Sequence, residues 1–219
     1  MRLRVAVPAI LVTACAETTP PARVEPYAFA IDCAIPDVCS SAADSSLRLI
    51  FRWSPAALPV RVWVQSVSDL PVFVRRGIVA WEEAALYGEF RAVLVGDSSV
   101  ADVIVRLGAP ENATGGDGQP ALDCRGRTDI QIGLDTAIVL PFRTTIAPRL
   151  GASDLEVDAC YHTVAVHELG HSFGLLLHSD AADDIMHVRP TAALLSRRDV
   201  ATFVKLYHTA PTVRLPTDR

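Results

Sequence analysis

Two histidines four residues apart, His167 and His171, constrain this chain more than any other feature of its sequence. In a helix, residues i and i+4 stand one above the other, so both imidazoles can reach a single cation. Glu168 follows the first histidine directly. It is turned about 100° around the helix and so approaches the neighbourhood of such a cation rather than the cation itself. Gly174 is the natural point for this helix to break and let the chain double back underneath.

Imidazole nitrogens suit zinc at about 2.0–2.1 Å, and a catalytic zinc keeps one position open for water. Two helix ligands leave a third to be found downstream. Glu168 is the last glutamate of the chain, so a downstream glutamate is excluded. Candidates are His178, His187, His208 and the group Asp180, Asp183 and Asp184. His178 comes soonest after the break at Gly174 and is the residue expected to complete the set. His162 and His208 are expected at the surface, and His187 facing solvent.

The remaining pattern supplies a scaffold for that helix. Leu47–Trp53 and Val60–Val64 alternate apolar and polar residues, as strands do. Between Pro71 and Phe90, Val74, Ile78, Trp81, Ala85 and Leu86 recur at three- and four-residue steps, with proline in the first turn. Phe90–Val95, Ala101–Leu107 and Ile130–Leu140 read as further strands, separated by a Gly/Asp-rich loop over Ala109–Thr128. Asp158 is expected to cap the helix that carries His167, and Ser196 a last amphipathic helix ending at Tyr207. This order predicts an α/β fold: a twisted sheet with two helices on it and a small C-terminal part. The chain has 219 residues, half of them hydrophobic, which suffices for one domain with a real core. Its net charge is −5 and no basic block stands out, which argues against nucleic acid as a partner.

His167-Glu168-x-x-His171-x-x-Gly174, then His178, then Asp184-Ile185-Met186, resembles the metzincin clan of zinc peptidases, and its matrixin branch in particular. The segment from Leu195 to Tyr207 resembles that family's closing helix. The resemblance implies one catalytic Zn²⁺ on His167, His171 and His178, Glu168 as general base, and Met186 as a Met-turn packed beneath the metal. It also implies a protein or peptide substrate, cleaved within the chain. Two departures stand out. Three residues, Leu175 to Leu177, separate the glycine from the third histidine where the family has two. One extra residue adds up to about 3.3 Å of contour, which a bulge can absorb. All histidines lie at position 162 or later, so the structural zinc that matrixins hold on upstream histidines is not expected. The readings that compete with a peptidase are a non-catalytic envelope lipoprotein using the metzincin scaffold as a binding module, and an amide hydrolase acting on something other than protein.

The N-terminus points out of the cytoplasm. Arg2 and Arg4, the apolar stretch from Val5 to Val12 and the small residues before Cys15 describe a secretory signal too short to span a bilayer. Leu11 to Cys15 also resembles a bacterial lipobox, in which Cys15 carries the lipid. The expected division is a signal peptide at 1–14, a Pro/Ala/Ser-rich tether at 15–46 and the catalytic domain at 47–219. The expected product is a monomeric lipoprotein anchored to the cell envelope, on the outer membrane. Of five cysteines, Cys15 is then the anchor, leaving Cys33 with Cys39 and Cys124 with Cys160 as disulfide candidates in an oxidising compartment. Cys33, followed by Pro36-Asp37, is alternatively similar to the thiol that keeps matrixin proforms latent. The acidic stretch Glu111–Asp123 could bind calcium, but its spacing is not that of an EF-hand and nothing else supports the ion.

Overall fold

A computed structural model describes residues 24–32, 48–108, 125–133, 136–147 and 154–216. Cys15, Cys33, Cys39, Cys124, Leu47 and the Glu111–Asp123 stretch lie outside the described residues. Short strands β1 (Ile31–Asp32) and β2 (Arg48–Leu49) pair antiparallel. There follow β3 (Val60–Val64), helix α1 (Leu70–Ala84), β4 (Ala92–Val95), β5 (Val103–Leu107), β6 (Arg125–Ile132), β7 (Ile138–Ala147), α2 (Asp154–Ser172) and α3 (Arg197–Tyr207). Strands β3 to β7 form one sheet in the order β4-β3-β5-β7-β6. Every pairing in it is parallel except β6 with β7. The fold is thus α/β with a mixed sheet, and its antiparallel strand is an edge. Among the described residues no helix is long and apolar enough to cross a membrane.

Val60, Val62, Val103 and Val105 are buried in the middle of the sheet, where β-branched side chains pack well on a pleated surface. Helix α1 packs on β3 and β4, and α2 on β6 and β7, with the two helices in contact. Phe51, Trp53 and Phe142 meet edge to face beneath them, at centroid distances of 5.4–5.9 Å. Aromatic donors also close off α2. The last carbonyls of a helix lack partners within it. Here Trp53 Nε1 donates to Ser172 O at 3.0 Å and Tyr207 Oη to Phe173 O at 3.0 Å.

Several expected boundaries move. Of the described part of the Leu47–Trp53 run, Arg48–Leu49 is strand, paired with β1, and Ile50 turns its backbone to Thr212 and Val213 instead. Helix α2 starts at Asp154, a turn before Asp158. The Ile130–Leu140 strand is really the end of β6, a turn, and the start of β7. Strand β6 therefore begins inside the expected Ala109–Thr128 loop. It alternates exposed and half-buried residues, with Arg125, Arg127 and Asp129 outward, and so lacks the apolar density that marks a central strand. Residues 24–32, placed in the tether by composition, instead contribute to the folded part. Tyr27 and Ala30 are buried and Ile31–Asp32 joins the small sheet. The proline-rich surroundings hid a single aromatic anchor.

Candidate metal centre

Helix α2 delivers His167, Glu168 and His171 from its last turns, all three buried. The helix then stops at Gly174, whose φ of +119° is open to glycine and strained for other residues. A Cβ there would also stand 2.6 Å from Phe51 O. The reversal turns Leu175 inward and brings His178 back over the helix. Substituting Gly174→Ala is expected to cost at least about 1–3 kcal/mol from backbone strain alone. The readout is a lowered urea midpoint together with weaker zinc retention, since the third histidine hangs on this turn.

The three histidines converge. His171 Nε2 lies 3.1 Å from His167 Nε2 and 3.3 Å from His178 Nε2. The extra residue between Gly174 and His178 is absorbed in the bend after the helix. Leu175 is fully buried while Leu176 and Leu177 are only half-buried. Leu175 also turns its carbonyl to His171, whose Nδ1 sits 2.6 Å from that oxygen. His167 Nδ1 is 2.7 Å from Ile185 O. A carbonyl can only accept, so each Nδ1 carries the proton and each Nε2 presents a lone pair. Burial pushes His167 down to about 4 and His171 to about 3, so neither takes a second proton at neutral pH. Burial and the neighbouring His187 lower His178 as well.

Facing lone pairs at such distances repel each other unless a cation lies between them. Two nitrogens on a tetrahedral zinc with bonds of about 2.0–2.1 Å stand about 3.3–3.4 Å apart, close to the spacings seen. The donor set therefore fits Zn²⁺, and the carbonyls of Ile185 and Leu175 hold both helix imidazoles in the ligating tautomer.

Glu168 is not part of that cluster. Its carboxylate turns toward the edge strand, where Thr128 Oγ1 donates to Oε2 at 2.6 Å. Burial pushes its carboxyl up to about 7, with the Thr128 hydrogen bond opposing. A carboxylate balanced near neutrality suits a group that must both take and give a proton.

The floor of the site is a turn carrying Met186. His187 N–H closes it on Asp184 O at 3.1 Å, and Ser179 N–H ties it to the His178 segment through Met186 O at 2.8 Å. Met186 is fully buried against α2 at Gly170, where a side chain would collide with its sulfur. Two carboxylates hold the turn. Asp199 accepts from Ile185 N–H at 2.8 Å, from Ser196 N–H at 2.8 Å and from the Tyr27 hydroxyl at 2.9 Å. Asp184 accepts from Ser196 Oγ at 2.5 Å and from Ser179 Oγ, and pairs with Arg198 at 3.2 Å. Ser196 caps α3 in a capping box with Asp199.

A family model for matrixin, peptidase family M10, matches residues 76–208, which is more than half of the chain and contains every residue of the histidine cluster. The chain belongs to the matrixin family. Matrixins are zinc metallopeptidases by family, and the three-histidine group of this matrixin is the place its structure offers for the metal. No curated protein sequence matches the chain. Among solved structures it is similar to myroilysin, at 12% identity and a TM-score of 0.42 over 69% of this chain and 93% of that one. It is also similar to an archaemetzincin from Methanopyrus kandleri, at 14% identity and a TM-score of 0.40 over 68% and 96%.

Of the other expected residues, His162 is half-buried, with Nε2 2.9 Å from Ala193 O, and His187 uses Nδ1 to accept from Arg189 N–H at 3.2 Å. Neither belongs to the metal cluster. Cys160 is buried on α2. Gly126, Thr128, Asp199 and Tyr27 were not singled out by sequence. Only Asp199 left a signal there, three residues after a serine at a helix start.

Proposed function

We propose that this matrixin is a zinc-dependent endopeptidase. The observation that carries the reading is the convergence of three imidazole Nε2 atoms, with the buried Glu168 carboxylate of the same helix held separately by Thr128. A zinc ion bound by His167, His171 and His178 supplies an acidified water and a polarised scissile carbonyl. Glu168 takes the water's proton on its carboxylate and passes it to the departing amine. Among the described residues strand β6 pairs on one side, with β7, and its outer edge is where an extended peptide would lie across the site. Met186 shapes the floor without ligating.

Export and anchoring through a lipidated Cys15 belong to the same reading, and the N-terminal sequence supports them. We pair Cys160 with Cys124. Cys124 directly precedes β6, whose Gly126 lies against Val164, one helical turn after Cys160.

The test begins with metal analysis. Purified wild-type protein is expected to hold one zinc per chain and to cleave labelled casein. His178→Ala is expected to lose zinc affinity by more than the roughly 10–100-fold that loss of an outer partner costs. Wild-type protein that holds no zinc after loading, or a His178→Ala variant that binds it as tightly, sinks the assignment.

A further inference from the structure

The edge strand does more than offer a free edge. Its residues Gly126 and Thr128 are two apart and so point to the same face of the sheet, toward α2. Each meets one oxygen of the Glu168 carboxylate. Thr128 Oγ1 donates to Oε2 at 2.6 Å. Oε1 lies over Gly126 so closely that a Cβ there would overlap it, and would stand 2.5 Å from Glu168 Cγ.

Behind Thr128 the contacts continue inward. Thr128 Oγ1 is 3.0 Å from Thr144 Oγ1 on β7, which is 3.2 Å from Ser172 Oγ at the end of α2. Thr144 and Ser172 are buried. Each hydroxyl has one proton to give. The carboxylate can only accept, so the Thr128 proton is committed to Oε2, and Thr144 can donate in turn to Thr128. Ser172 Oγ has Thr144 Oγ1 and Glu168 O, at 3.1 Å, as alternative acceptors for its one proton, the second on the helix backbone. Buried hydrogen-bond chains of this kind polarise along their length and fix the group at their end.

We propose that Thr128 and Gly126 form a seat for the general base. Thr128 is a positioning residue that holds Oε2, and Gly126 leaves the room in which Oε1 stands. The proposal rests on the peptidase reading and deepens it. Glu168 owes its orientation to the strand that also borders the substrate, so the base and the peptide are registered against the same backbone. A misplacement of the order of 1 Å in such a group can cost about 10²-fold in rate.

The experiment uses the full zinc-loaded chain and an internally quenched peptide chosen from casein cleavage sites. Thr128→Val keeps the shape and removes the hydroxyl. It is expected to lower kcat about 10- to 100-fold with KM within about twofold, while zinc stoichiometry stays at wild type. Thr128→Ser restores the donor and is expected to recover most of kcat. Gly126→Ala is expected to lower kcat as well, with zinc retained, by pushing Oε1 from its place. A Thr128→Val enzyme within about twofold of wild-type kcat overturns the proposal. So does a Thr128→Ser enzyme as slow as Thr128→Val, or an unimpaired Gly126→Ala enzyme. The underlying reading fails separately. If Glu168→Gln remains active, there is no general base to seat and both ideas fall. If Glu168→Gln is inactive while Thr128→Val is normal, only the seat is wrong.

Discussion

Glu168→Gln is expected to abolish peptide cleavage while leaving the zinc in place, with kcat falling by about 10²–10⁴-fold. The amide keeps the size of the carboxylate and can still accept from Thr128 through its oxygen. What it loses is the ability to take up a proton, which is the one property the mechanism asks of it. Because Glu168 is held by Thr128 of the edge strand and is not one of the three residues of the metal group, its replacement should not disturb the donor set. Zinc content by atomic absorption and kcat on a quenched peptide together decide the matter. A variant that keeps its zinc and more than a tenth of its activity places the base elsewhere. A variant that is inactive only because the metal is gone makes Glu168 structural.

Asp199→Ala is expected to be the most damaging single change outside the metal cluster. The carboxylate is fully buried, yet it satisfies the backbone N–H groups of Ile185 and Ser196 and the hydroxyl of Tyr27. Alanine removes the acceptor and leaves those donors facing apolar surroundings. Each buried donor left unsatisfied costs about 1–3 kcal/mol. Two or more staying dry makes the loss about 3–5 kcal/mol, a large share of the roughly 5–15 kcal/mol that holds a typical domain together. Urea denaturation with tryptophan fluorescence measures it directly. The effect should also reach the metal, since Ile185 supplies the carbonyl that orients His167. Asp199→Asn keeps one acceptor oxygen and is expected to lose less. A drop below about 1 kcal/mol for the alanine variant would mean that water replaces the carboxylate and that the turn is not held as described.

The residues that carry chemistry were legible in the sequence because their spacing is a property of one helix. His167, Glu168 and His171 need nothing but a 3.6-residue repeat to come together. The glycine that ends the helix was legible for a similar local reason. Strand Val60–Val64 and the last helix with its serine cap are likewise local patterns, and they appear where the spacing puts them. What surrounds the base was not legible. Thr128 reaches Glu168 across 40 positions of sequence, from a polar strand whose pattern looks like a loop. Tyr27 reaches Asp199 across 172 positions, from a segment that proline content assigns to a linker. Such contacts are set by the order of strands in the sheet and by which edge the helix lies against, and neither follows from periodicity. The continuation of β7 beyond Leu140 was obscured by Pro141, a residue that argues against strand when met in sequence.

If Cys15 carries a lipid, as proposed, the packing of residues 24–32 onto the folded body shortens the leash. Only nine residue steps then separate the bilayer surface from the first described residue of the domain. At about 3.3–3.6 Å per step, that is a reach of roughly 30 Å when fully drawn out. An enzyme so held would meet proteins that also lie close to the membrane. A cut anywhere upstream of residue 24 would release the enzyme with its Tyr27 anchor intact, turning a local activity into a diffusible one.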